Sequence, residues 1–308
     1  MKKLFISMLA VAAVTACAKD EAISLNQESI DFGAPFVENS TRAAVDPSFG
    51  KDANAITEFN VWGTANGVAI YAGQSVKDTD SDGLWECGTK NYWVNGATYN
   101  FAAVVNGDVK SLSNGLPATI SYDADGTSDL VYAEKLGMAG QPAGSNVPVD
   151  FTFAHLLSKV KFTVKTEMTA ADYRYEVTGI NITSAPASGV YTVAAAEKWA
   201  PAAAAGQAFD SIIVNATNKV VECASEKLII PTSTVSVAYK AALQIKNGEN
   251  WETIWADDKT SNPVTLTDVT LAAGNAYNFT ISLNIGEEIK FDVDENVSWT
   301  NNDPITVQ

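Results

Sequence analysis

Short apolar runs in period-two alternation, each closed by a turn signal, constrain this chain more than any other feature. Phe59-Asn60-Val61-Trp62, Val68-Ala69-Ile70-Tyr71, the segment 99–105, Phe151-Thr152-Phe153 and the segment 160–164 share the pattern. It is the spacing of strands with one buried face, because successive side chains point to opposite sides. Segments 175–182, 211–214, 227–230, 235–245, 253–255, 277–283 and 289–293 continue it. Pro186, Pro231, Asn247-Gly248, Gly274-Asn275 and Gly286 punctuate them. Asn95-Gly96, between the runs 92–94 and 99–105, predicts a tight hairpin, since both positions tolerate positive φ. Only the alanine-rich stretch 194–208 has helical character, and Pro201 and Gly206 limit it to a turn or two. Many short strands with little helix predict an all-β chain made of sandwiches. The 308 residues suffice for two domains of ordinary size. The run 160–164 gives way to a polar segment at Thr166, so the predicted domains are 46–166 and 167–308.

The N-terminus reads as an address. Lys2 and Lys3 precede an apolar run from Leu4 to Val14, and Val14-Thr15-Ala16-Cys17 fits a bacterial lipobox. The run is shorter than the roughly 20 residues that cross a bilayer, so residues 1–17 read as a signal peptide. The lipobox requires Cys17 itself, whose thiol takes a diacylglycerol and whose freed amine takes a further chain. Several acyl chains on one residue anchor stably where one would be marginal. Residues 18–45 then read as a tether, and Lys19-Asp20-Glu21 resembles a tag for export to the outer face of the outer membrane.

Charge and cysteine count exclude several partners. The formal charge is −16, and it becomes −18 once Lys2 and Lys3 leave with the signal peptide. Nucleic acid and anionic lipid surfaces would be repelled. Lipidation of Cys17 leaves Cys87 and Cys223, which are far apart in sequence and read as small buried thiols, not as a disulfide framework.

Few residues suggest chemistry. Asp78-Thr79-Asp80-Ser81-Asp82-Gly83 matches the first half of a calcium loop, with alternating carboxylates and a turn glycine. The twelfth position, where a bidentate Glu belongs, is Thr89, so an acidic hairpin loop is the expected reading and no metal is assigned. His155 is the only histidine, and no Gly-x-Ser-x-Gly elbow accompanies it, so it reads as structural. No Cys-x-x-Cys, phosphate loop or dinucleotide fingerprint is present, so no cofactor is implied and no enzyme is expected. Asp210-Ser211-Ile212 resembles a short bacterial O-glycosylation signal at Ser211.

A family likeness runs through the aromatic and His-Leu segments. Phe59-Asn60-Val61-Trp62-Gly63-Thr64, Tyr92-Trp93 with Tyr99-Asn100-Phe101, Asp129-Leu130-Val131-Tyr132-Ala133 and Phe153-Ala154-His155-Leu156-Leu157-Ser158-Lys159-Val160 occur in that order. Leu271-Ala272-Ala273-Gly274-Asn275-Ala276-Tyr277 and Trp299 follow. The chain resembles the fimbrillin family, the type V pilins of Bacteroides-like Gram-negative anaerobes. That resemblance implies two tandem transthyretin-like β-sandwich domains and lipid-anchored export to the outer membrane and cell surface. It also implies Arg-specific proteolysis that makes residues 18–45 a tether and removable N-terminal strand, and head-to-tail polymerisation with other fimbrial subunits by strand donation.

Several positions fit that scheme. Thr41-Arg42-Ala43 stands where the family is cut, with no other arginine before Arg174. Upstream, Ile23 and Leu25, then Ile30 and Phe32, alternate like a strand filling a groove. The residues alone equally allow an exposed linker. Ile289, Phe291, Val293, Val297, Trp299, Ile305 and Val307 are candidates for donation to a neighbour or for a closing strand of this chain's own C-terminal sandwich. The alternative function is a surface lipoprotein or tip adhesin of the same fold. It would bind a glycan or another host or bacterial surface ligand, with Trp251 or Trp255 stacking on sugar.

Overall fold

The computed structural model describes residues 28–37, 56–81, 83–145 and 147–296. Among the described residues there are four sheets and no helix, so the protein is all-β. The largest sheet has seven strands in the order Phe36–Val37, Thr152–His155, Val131–Ala139, Thr98–Val105, Phe59–Ala65, Val68–Lys77 and Glu86–Cys87. Its central hairpin turns at Asn66-Gly67, where φ is 49° and 78°. Positive φ at both central residues matches the right-handed twist of the flanking strands. Asn114-Gly115, with φ of 50° and 80°, closes a second hairpin between Asp108–Ser113 and Leu116–Asp123 in the same way.

Alternation decides which side chains enter which core. Along Phe59–Ala65 and Thr98–Val105, Phe59, Val61, Phe101 and Ala103 enter one apolar cluster. Trp62, Ala102 and Val104 emerge on the other face and enter a second. There they meet Ile120 and Tyr122 of a four-stranded sheet, ordered Trp199–Pro201, Ser188–Thr192, Leu116–Asp123, Asp108–Ser113.

The alanine-rich stretch corrects the helical expectation. Trp199–Pro201 is a strand paired with Gly189 to Tyr191. Trp199 packs edge-on against Tyr191 at 5.5 Å, and its indole N–H donates to the Leu156 carbonyl at 3.0 Å. Partial burial of one indole with its hydrogen bond outweighs the weak helix preference of the alanines around it.

The remaining residues build two facing sheets over a third cluster that includes Phe162, Val177, Tyr239 and Phe279. In the five-stranded sheet, Ser158–Lys165 runs parallel to Ala276–Ser282, and Lys290–Asn296 pairs on the far side of the latter. In the six-stranded sheet, Val235–Asn247 lies between Tyr173–Ile182 and Asn250–Asp258. The halves exchange elements. Every strand paired to Ser158–Lys165 comes from the later sequence, whereas Ser188–Thr192 crosses to join Leu116–Asp123.

Candidate functional site

The segment 28–37 lies between the two ends of the seven-stranded sheet and joins them. Phe32 bridges antiparallel to Trp85, beside the last strand, and parallel to Val149, just before Thr152–His155. The Phe32 amide donates to the Trp85 carbonyl at 3.0 Å, and the Trp85 amide returns a bond at 2.9 Å. On the other side Gly33 donates to Val149 at 3.1 Å, and Val149 donates to Asp31 at 2.8 Å. Phe36–Val37 continues the parallel pairing, against Thr152 and Phe153. The segment thus satisfies backbone groups on two edges that would otherwise be templates for a foreign strand.

The side chains explain why it holds. Ile30, Phe32 and Val37 are buried, Phe32 completely. The Phe32 ring stacks on Phe151 at 5.9 Å and meets Phe59, Tyr71 and Phe101 edge-on at 6.0, 5.8 and 6.1 Å. Offset and edge-on pairs of this kind add to simple area burial. Burial pushes the Tyr71 hydroxyl up to about 12, so the ring beside Phe32 stays neutral across physiological pH. Gly33 permits the close approach that follows, since a Cβ there would lie 2.0 Å from an Asp150 carboxylate oxygen.

Asn95-Gly96 does form a turn, with Gly96 at φ 80° and the Ala97 amide donating to Val94 at 3.1 Å. The expected hairpin is nevertheless absent. Tyr92 bridges to Ser29, and the Trp93 amide donates to the Glu28 carbonyl at 3.0 Å. Thr98–Val105 pairs instead with Phe59–Ala65 and Val131–Ala139. Trp93 is buried under Tyr99 at 4.7 Å, which draws the run 92–94 over one end of the barrel that residues 28–37 close from the seven-stranded sheet, and leaves its edge for residues 28–29.

Cys17, Ile23, Leu25, Arg42, Ala43, Asp82, Val297, Trp299, Ile305 and Val307 lie outside the described residues. Of the C-terminal candidates, Ile289, Phe291 and Val293 pack against the cluster of the second half, and Phe291 lies 5.3 Å from Tyr239. Phe291 and Val293 belong to Lys290–Asn296, an edge strand among the described residues. Ser211 is exposed just before the strand Ile212–Asn215. Cys87 and Cys223 are both buried free thiols. His155 meets the Asp129 carboxylate through Nδ1 at 2.5 Å, tying the end of Thr152–His155 to the loop before Val131–Ala139.

In the acidic loop, Asp78 uses its two oxygens to accept the amides of Ser81 at 2.6 Å and Gly83 at 3.2 Å. Among the described residues no group of three or more His, Cys, Asp or Glu is placed to hold a metal. A carboxylate engaged by its own loop and a missing twelfth ligand predict calcium affinity no tighter than about 10⁻⁴ M. Calorimetric titration of the full chain tests this, and micromolar binding abolished by Asp80→Ala would overturn it.

Sequence reasoning missed Trp85 and Val149, the two backbone partners of Phe32. Each sits in a run too short to show alternation, so only the three-dimensional pairing brings them out.

An all-β body whose N-terminal segment staples its largest sheet defines a class of strand-completed β-proteins. The fimbrillin-like family matches residues 41–304, and the chain belongs to that family. No curated protein sequence matches it significantly. Among solved structures it is similar to a fimbrial protein from Bacteroides vulgatus, with 15% identity and a TM-score of 0.64 over 88% of this chain and 99% of that one. A candidate cell adhesion protein from Bacteroides ovatus is similar at 15% identity and a TM-score of 0.56, over 90% of this chain and 99% of that one. At such identities the likeness is one of fold.

Proposed function

We propose that the protein is a structural subunit of a cell-surface fimbria. It is exported as a lipoprotein, cut after Arg42, and assembled with other subunits when a neighbour's strand replaces residues 28–37. The observation that carries this reading is the position of that segment. It bridges both ends of the largest sheet and buries Ile30, Phe32 and Val37, yet it is continuous with the body only through residues 38–55, which contain Arg42. Cutting there leaves it held by non-covalent contacts alone. Membership of the fimbrillin-like family and the likeness to a fimbrial protein support the same reading. The deciding experiment is cleavage and assembly of wild type beside Arg42→Ala, argued in the Discussion.

Anchoring is tested separately. Cys17→Ala is expected to abolish metabolic labelling with palmitate and to release the protein from the membrane fraction. Equal label on variant and wild type would refute the lipobox.

One observation favours a tip adhesin as the second reading. Asn250–Asp258 is an edge strand among the described residues, with Ile254 53% and Trp255 44% exposed, and Arg174 lies 4.4 Å over the Trp251 ring. Aromatic and apolar groups in such a place suit a surface ligand.

A further inference from the structure

Arg174 is the only arginine among the described residues, and its neighbours fix its direction without neutralising its charge. It stands on Tyr173–Ile182, where Tyr175 and Val177 enter the core cluster, so Arg174 and Glu176 emerge on the outer face of the six-stranded sheet. Gln244 lies directly opposite Arg174 on Val235–Asn247 and is only 7% exposed. Its side-chain oxygen accepts the Arg174 Nε–H at 2.7 Å, and its Nε2 donates to the Glu176 carboxylate at 2.9 Å. The guanidinium carbon lies 4.4 Å from the centre of the Trp251 ring, a cation–π contact. A neutral amide thus stands between the guanidinium and Glu176. No hydrogen bond or ion pair among the described residues engages the two terminal amino groups of Arg174.

Further donors share that face. Asn215 pairs with Arg174 on its other side. The Asn215 side-chain oxygen accepts the amides of Thr217 and Asn218 at 2.9 and 2.8 Å, which leaves its NH₂ group to donate outward. Lys246 follows Gln244 by two residues, so it lies on the same face, and it pairs in register with Trp251. It is exposed and makes no ion pair among the described residues. Two cations and one amide donor therefore surround one indole. The chain's formal charge of −16 repels anions at long range, so only a local constellation of this kind can hold one.

We propose that this face binds an acidic saccharide, with Arg174 gripping the carboxylate of a uronic acid residue. The free end of a guanidinium presents two parallel N–H groups that match both oxygens of a carboxylate. Trp251 and Gln244 already hold the side chain in place, so little rotamer freedom is lost on binding. Asn215 and Lys246 supply donors beside it, where a sugar acid carries ring and hydroxyl oxygens next to its carboxylate. An aspartate or glutamate side chain carries only methylenes there, so the saccharide matches this set of donors better than an acidic peptide does. The proposal deepens the tip-adhesin reading by giving its ligand a chemistry, and its biological use rests on that reading.

Calorimetric titration of the full chain with tetragalacturonate, beside its methyl ester, tests the assignment. The ester keeps the rings, their number and their hydroxyls and loses the charge. The free acid is expected to bind, and the ester to bind at least about tenfold more weakly, the cost of losing one charge-assisted hydrogen bond. Arg174→Lys should weaken binding of the acid by about as much, because lysine keeps the charge but has neither the planar fork nor the Nε–H that Gln244 holds. Trp255→Ala should leave it unchanged. Trp255 pairs with Leu243, whose side chain enters the core cluster, so it stands on the opposite face of the sheet. No binding of the acid would overturn the proposal, and so would a pentaglutamate peptide bound as tightly as the acid. Ester bound as well as acid would overturn the carboxylate site and leave the adhesin reading in place. Acid-specific binding by a chain found within the fibre shaft would sustain the site and overturn that reading alone.

Discussion

Phe32→Ala is expected to destabilise the barrel of the first half by about 3–5 kcal/mol, the range for truncating a buried phenylalanine. The side chain is completely buried, with ring neighbours at 5.8–6.1 Å supplied by four separate parts of the sequence. No single strand can close around the void, so little relaxation should offset the loss. With a urea slope of about 1–3 kcal/mol per molar, the midpoint should fall by about 2 M. Trp85 and Trp93 are buried in the same cluster and should report the change by fluorescence. Hydrogen exchange should locate the effect, raising rates around Trp85, Val149 and Phe151 while the strands around Phe162 and Phe279 stay protected. A midpoint shift no greater than that of an exposed substitution such as Val220→Ala would show that residues 28–37 are not the staple of this sheet.

Much of this architecture is legible in the sequence because a half-buried strand writes its face into alternate residues. Phe59-Asn60-Val61-Trp62 carries both faces of the barrel wall, and the apolar outward Trp62 marks a second layer beyond it. The site was partly legible too, since Ile30 and Phe32 carry the spacing of a groove-filling strand. Pairing is what the sequence hides. Nothing local in Tyr92-Trp93-Val94 says that its partner is residues 28–29 and not the strand across Asn95-Gly96. That choice depends on where Trp93 finds its pocket beneath Tyr99. The stretch 194–208 misleads for a related reason. Alanine favours helix only weakly, and the tertiary contact of Trp199 with Tyr191 and Leu156 decides the outcome. Ser158–Lys165 joins the second half through seven register pairs with Ala276–Ser282, a partnership more than a hundred residues away in sequence that no window can see.

Arg42→Ala is expected to keep the protein monomeric under conditions in which wild type assembles. Burial of Ile30, Phe32 and Val37 is worth roughly 1.5–3 kcal/mol each, so a foreign strand of similar character would gain about as much in the same seat. In the intact chain the native strand has an advantage that such a competitor lacks. The covalent connection through residues 38–55 holds it at an effective concentration on the order of millimolar, while a competitor at micromolar concentration is about a thousandfold more dilute. That factor corresponds to about 4 kcal/mol, enough to keep the seat closed to a strand of equal fit. Cutting after Arg42 removes the advantage, and the unpaired edges at Trp85 and Val149 then become available to a neighbour. Arg174 is the only other arginine, and it lies within the strand Tyr173–Ile182, with its guanidinium bonded to Gln244 at 2.7 Å and set over Trp251. An arginine-specific protease should therefore nick the folded protein once. Size-exclusion chromatography with N-terminal sequencing should show a new terminus at Ala43 and oligomers in wild type, and neither in Arg42→Ala. Polymers formed by uncut Arg42→Ala would defeat cleavage-triggered strand exchange, and a nicked wild type that stays monomeric beside its neighbours would favour the tip adhesin.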